Sequence, residues 1–130
     1  MTVGLSAANL ANKWLDMLAA TAFTAPAAFY VKLHTADPGA SGATAAAAGD
    51  TTRKQVTWNA ASAGSKAMAS MSGSWTNGGT NETLSHVSFW DASSAGNFLG
   101  SAVLSSTQQW NTSNVYALTA LTAAFTPIAA

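Results

Sequence analysis

The chain has 130 residues, no cysteine, five basic and five acidic residues, and a formal net charge of zero. That length suits one domain, and the lack of cysteine excludes disulfide frameworks, thiolate zinc sites and cysteine nucleophiles. Lys13, Lys32, Arg53, Lys54 and Lys66 are scattered and build no groove for phosphates, so nucleic acid is not an expected partner.

No apolar run approaches the ~20 residues that cross a bilayer, so no membrane partner is expected. The opening MTVGLSAANLANKWLDMLAATAFTA lacks the basic lead and continuous apolar stretch of a signal peptide. It reads as mature structure made in a cytoplasm. Charged residues make up 8% of the chain, against about 25% in a typical soluble domain. Interface cores are depleted in Lys, Glu and Asp because an unpaired buried charge is costly. A surface of Ala, Ser, Thr, Gly and Asn therefore suits a subunit covered by neighbours, and a homo-oligomer is expected.

Ser6 is a candidate N-cap. After it, Leu10, Trp14, Met17 and Leu18 fall on one helical stripe, which predicts a helix over about 7–20. Pro26 ends any helical continuation. FYVKLHT then alternates, with Phe29, Val31 and Leu33 on one face and Tyr30, Lys32 and His34 on the other, as in a half-buried strand. Asp37-Pro38-Gly39 turns the chain. A loop over about 37–52 follows, long for a compact domain and so expected to be functional or mobile.

RKQVTWNAA is the next strand. SKAMASMSGSWTN reads as one or two short strands before an Asn77-Gly78-Gly79 turn. ETLSHVSFWDA is a long strand, with Leu84, His86, Ser88 and Trp90 on one face and Ser85, Val87, Phe89 and Asp91 on the other. DASSAGN turns it, with Gly96 placed for positive φ, and FLGSAVLSS returns as a hairpin. A last strand is expected from Val115 to Phe125. One helix followed by six or seven closely spaced strands predicts a mainly β fold, an antiparallel β-sandwich.

Chemistry has few candidates. His34 or His86 with Asp37 or Asp91 and a serine is the only hydrolase arrangement on offer, and no serine sits in a G-x-S-x-G elbow. His34 and His86 read better as hydrogen-bonded framework, and Asp37 as an acceptor for a turn amide. No ligand spacing supports a metal, DASSAGN has only Asp91 for calcium, and no phosphate loop is present. No cofactor is expected, and the chain reads as a non-enzyme. Of the five tryptophans, Trp14, Trp58 and Trp90 are expected in the core. Trp75 and Trp110, flanked by polar residues, are expected to face solvent, a neighbour or a glycan.

The runs KWLDMLAATAFTAPAAFYVKLHTADPGASG, TTRKQVTW and LSHVSFWDASSAGNFLGSAVLS carry a resemblance that covers nearly the whole chain. It resembles the small structural proteins of tailed bacteriophages, of the actinobacteriophage minor tail or tail-fibre type, with related head-decoration domains. The resemblance implies a virion component that works through repeated protein contacts. It supplies no catalytic residues and makes His34, His86, Trp90, Asp91 and Gly96 framework. A capsid-decoration protein and a host-glycan receptor module are the alternatives. The expected interface combines Trp75 and Trp110 with Asp37, Pro38, Gly39, Gly42 and Gly49 of the long loop, a loop expected to be removable without unfolding the domain.

Overall fold

The computed structural model describes residues 3–126. Six strands form one antiparallel sheet: β1 (Phe29–His34), β2 (Lys54–Trp58), β3 (Ser65–Met71), β5 (Glu82–Trp90), β6 (Phe98–Trp110) and β8 (Thr122–Ala124). Their spatial order is β6-β5-β1-β2-β3-β8. Two short strands, β4 (Trp75–Thr76) and β7 (Val115–Tyr116), pair as a separate ribbon. The fold is mainly β and antiparallel, with one N-terminal helical segment, as the strand spacing predicts.

The alternating pattern of β1 sets the layers. Register pairs Leu33 with Val87 and Val31 with Phe89, so these side chains share one face. That face packs against Trp75, Trp110, Tyr116, Leu118 and Leu121. The second layer of the sandwich is therefore the β4–β7 ribbon and the chain around it. The sequence reading expected one strand over Val115–Phe125. Instead β7 and β8 belong to different sheets, because residues 117–121 cross between them.

Strict alternation also fails in β5. Leu84 pairs with Gln108 and His86 with Val103, so β6 spends five steps where β5 spends two. This bulge turns Leu84 out of the His86 face and into the core beside Val87, where it is fully buried. A bulge is not written in hydrophobic periodicity, and the expectation that Leu84 and Val87 lie on opposite faces is wrong for that reason.

The N-terminal segment is held to the outer edge of β6. Ser6 N–H donates to Leu99 O at 2.8 Å and Ser101 N–H to Gly4 O at 2.8 Å. Asn9 Nδ2 adds a bond to Phe98 O at 2.9 Å. A π-helical turn (Ala7–Ala11), an α-helical stretch (Asn12–Asp16) and a 3-10 turn (Met17–Ala19) follow. Ser6 Oγ caps the start by accepting from Asn9 N–H, and Ala20 ends the segment in the left-handed region at φ 60°. The helix lies over the predicted residues. Its stripe does not bury as expected: Leu10 is buried, Trp14 is half-buried and stacks edge-on against Phe125, and Met17 and Leu18 face outward.

The long loop after β1 is part of the framework. Thr35 N–H donates to Ala45 O and Ala47 N–H to Leu33 O, so residues 45–47 take the edge of β1 that β2 leaves free. Ala47 joins the core. Gly42 is buried at φ 70°, and a Cβ there would overlap the Phe98 ring, so only glycine fits both the backbone and the space. The expectation of a removable, mobile loop does not survive this packing.

Candidate functional site

His34 is fully buried and joins a closed chain of hydrogen bonds. Its Nδ1 lies 2.8 Å from Thr44 O, an acceptor only, so Nδ1 carries the proton. Nε2 must then accept, and its partner is the Ser88 hydroxyl at 2.7 Å. Ser88 Oγ in turn accepts from Trp90 Nε1 at 2.8 Å. Every polar atom in the chain has a partner when the imidazole is neutral. Burial lowers the His34 pKa, the Thr44 carbonyl opposes that, and the nearby Lys32 and His86 add to the lowering.

The Ser88–His34 spacing is that of a nucleophile and its base. Both residues are fully buried, so no substrate reaches them in this conformation. His86 makes a separate local bond. Ser85 Oγ donates to Thr35 O at 2.7 Å and lies 2.7 Å from His86 Nδ1, which donates to it. Among the described residues no three of His, Asp and Glu gather as a metal set.

The acidic turn residues act on backbone. Asp37 Oδ1 accepts from Gly39 N–H at 2.9 Å, with Pro38 buried behind it. Asp91 accepts from Asn97 N–H and Asn97 Nδ2, both at 2.7 Å, and Gly96 has φ 71° in the same turn. Arg53 is the residue the sequence reading missed. Its guanidinium lies 3.7 Å from the centroid of the Trp90 ring. Its Nη1 donates to Ala92 O and Ala95 O, so it ties the long loop to the β5–β6 turn. Nothing in local spacing pairs Arg53 with a tryptophan 37 positions later.

Trp75 and Trp110 are the main correction. Trp75 is 0% exposed and Trp110 2%. Trp75 Nε1 donates to Thr52 O and Trp110 Nε1 to Asn114 O, each at 2.8 Å, so both rings are buried with their one polar atom satisfied. Polar neighbours in sequence misled the expectation: Thr76, Gln109 and Asn111 are exposed beside the buried rings, and Asn77 is buried with them. None of the five tryptophans is among the exposed residues. Gly49 is also internal: it packs against Asn77, and its N–H donates to Glu82 Oε1 at 2.8 Å. Asn77, buried at 2%, accepts from Gly79 and Thr80 N–H and donates to Thr80 O and Trp110 O.

Several large apolar side chains face solvent. Leu15, Met17 and Leu18 of the helix are 64%, 51% and 87% exposed. Val103, Val115 and Phe125 are also exposed. A groove of about 420 Å³ opens between β6 and residues 116–122. Among the described residues the single ion pair is Lys54–Asp50 at 4.0 Å. No described helix is long and apolar enough to cross a membrane. The features open to a partner are thus hydrophobic faces with little charge.

No curated protein matches the chain in sequence. Residues 5–126 match the family described as Podophage GP4 fiber I protein gp80, so the chain belongs to this family of phage fibre proteins.

Proposed function

We propose that the chain is a non-enzymatic structural subunit of a tailed-phage fibre and that its N-terminal helix attaches it to another virion protein. The observation that carries this reading is the exposure of Leu15, Met17 and Leu18 on a segment already fixed to the sheet. A domain that ended its life as a free monomer gains nothing from three large apolar side chains held in water. Covering them on a partner contributes roughly 1.5–3 kcal/mol for each side chain that becomes fully buried. The fibre family favours the tail over the head lattice, and burial of Trp75 and Trp110 removes the rings on which a glycan platform was expected.

The test is incorporation into particles. Leu15→Ser with Leu18→Ser should leave the unfolding transition of the purified chain within about 0.5 kcal/mol of wild type, because both sites are exposed. The same double variant should be lost from purified virions. Normal incorporation of the variant would overturn the helix as the attachment face.

A further inference from the structure

The sequence contains one Asn-Gly pair, Asn77-Gly78. Such a pair is prone to lose ammonia unaided, because glycine places no side chain in the way of its own nitrogen. The Gly78 nitrogen gives up its proton and attacks Asn77 Cγ. The Cγ–Nδ2 bond breaks, ammonia leaves, and a succinimide ring closes. Water then opens the ring to aspartate or isoaspartate. The step needs a free Gly78 N–H, a free Asn77 side chain and a backbone that can rotate between them.

The fold withholds all three. Gly78 is exposed, yet its N–H donates to Gly49 O at 2.8 Å. The buried Asn77 side chain makes all four bonds open to an amide. Its Nδ2 donates to Thr80 O at 2.6 Å and Trp110 O at 2.8 Å, and its Oδ1 accepts from Gly79 and Thr80 N–H. Its backbone is pinned on both sides, by Asn114 O and by Ser113 N–H. Gly49 seals the pocket so closely that a Cβ there would overlap the Asn77 amide. Glu82 holds this seal: its carboxylate accepts from Gly49 N–H at 2.8 Å and from Ala48 N–H at 3.0 Å, the second bond at the surface.

We propose that Asn77 is a self-deamidation site gated by Glu82 and residues 48–49, and that its product keeps the gate from closing again. Local opening of that segment frees the Gly78 N–H and the Asn77 side chain together. The acid that forms has no proton to give at neutral pH. Thr80 O and Trp110 O lose their donors and face a buried negative oxygen instead. Isoaspartate also inserts a methylene group into a backbone fixed by Asn114 and Ser113. Either product disrupts the junction where β4 and β6 end, at Thr76 and Trp110. A passing opening thus becomes a lasting change.

Peptide mapping by mass spectrometry tests this on the purified full chain, incubated at mildly alkaline pH with and without concentrated urea. Asn77 should deamidate at least about 100-fold more slowly in buffer than in urea. Glu82→Ala removes both acceptors of the seal and should speed the reaction in buffer about 10-fold or more. If that variant loses cooperative unfolding, Glu82→Gln, which keeps one amide oxygen, takes its place and should still speed the reaction. Leu10→Ala weakens the buried N-terminal contact, outside the core cluster that holds Ala47, and should leave the rate near that of wild type. Equal rates in buffer and urea would overturn the protection. Acceleration by Leu10→Ala as large as that by Glu82→Ala would replace the local gate with global unfolding and overturn it too. Asn77→Asp, the direct product, should unfold at lower urea than wild type, and an unchanged midpoint would overturn the claim that the product blocks closure.

Discussion

Ser88 and His34 stand 2.7 Å apart, yet the pair serves as an internal strut. Thr44 O fixes the imidazole tautomer on one side, and Trp90 supplies the Ser88 hydroxyl with a donor on the other. Replacing His34 with Ala would strand the Ser88 hydroxyl and leave a cavity, a loss of about 2–4 kcal/mol measurable by urea unfolding. Burial of the same ring sets a pH dependence. The folded pKa of His34 lies below the ordinary value of 6.5. Above that value both states are neutral and the full stability is present. As pH falls below it, the unfolded chain takes up a proton that the folded chain resists, so stability drops until the lower folded pKa is reached. Urea midpoints should therefore fall between pH 7.5 and 5.5 in wild type, and fall less in His34→Asn. Equal slopes in the two proteins would contradict this account of His34. The place of His34 at a strand end before a turn was legible in the alternation of residues 29–34. Its partners Thr44, Ser88 and Trp90 were not, because they come from the loop and a second strand.

At the scale of elements, β1 and the β5–β6 hairpin were legible because alternation and turn residues agree there. The ribbon was not. A two-residue strand such as Trp75–Thr76 has no period to read, and its tryptophan is buried through pairing with Tyr116 on β7. The register shift between β5 and the bulged β6 hid the place of Leu84 in the same way. Leu84→Ala should cost about 2–5 kcal/mol, the loss of a core leucine. A surface-sized loss below about 0.5 kcal/mol would mean that Leu84 stays on the His86 face. The long loop behaves as an element too. Removing residues 39–49 would take out Ala47, the Thr44 acceptor and both amides held by Glu82. That deletion should abolish cooperative thermal unfolding, where a loose loop would leave the transition in place. Gly42→Ala probes the same packing with one methyl group, and should destabilise by about 2–4 kcal/mol through positive φ and overlap with Phe98.

For the whole molecule, low charge was the most informative property of the sequence, and the structure shows where its consequences lie. Polar and ionic side chains are spent on turns and internal bonds: Asp37, Asp91, Glu82, Arg53 and Asn77 all hold backbone. The exposed surface mixes Ser, Thr, Gln and Asn with a few large apolar side chains such as Leu15, Leu18 and Val103. Large exposed apolar side chains lie on the helix, as Leu15, Met17 and Leu18, and on β6 and β7, as Val103 and Val115. The family match gives that arrangement a setting in a phage fibre. Quantitative mass spectrometry of purified virions is the most direct measurement of this claim. A fibre subunit should be present at on the order of tens of copies per particle or fewer, set by the symmetry of a tail. Hundreds of copies, as on a head lattice, or no copies at all would contradict it.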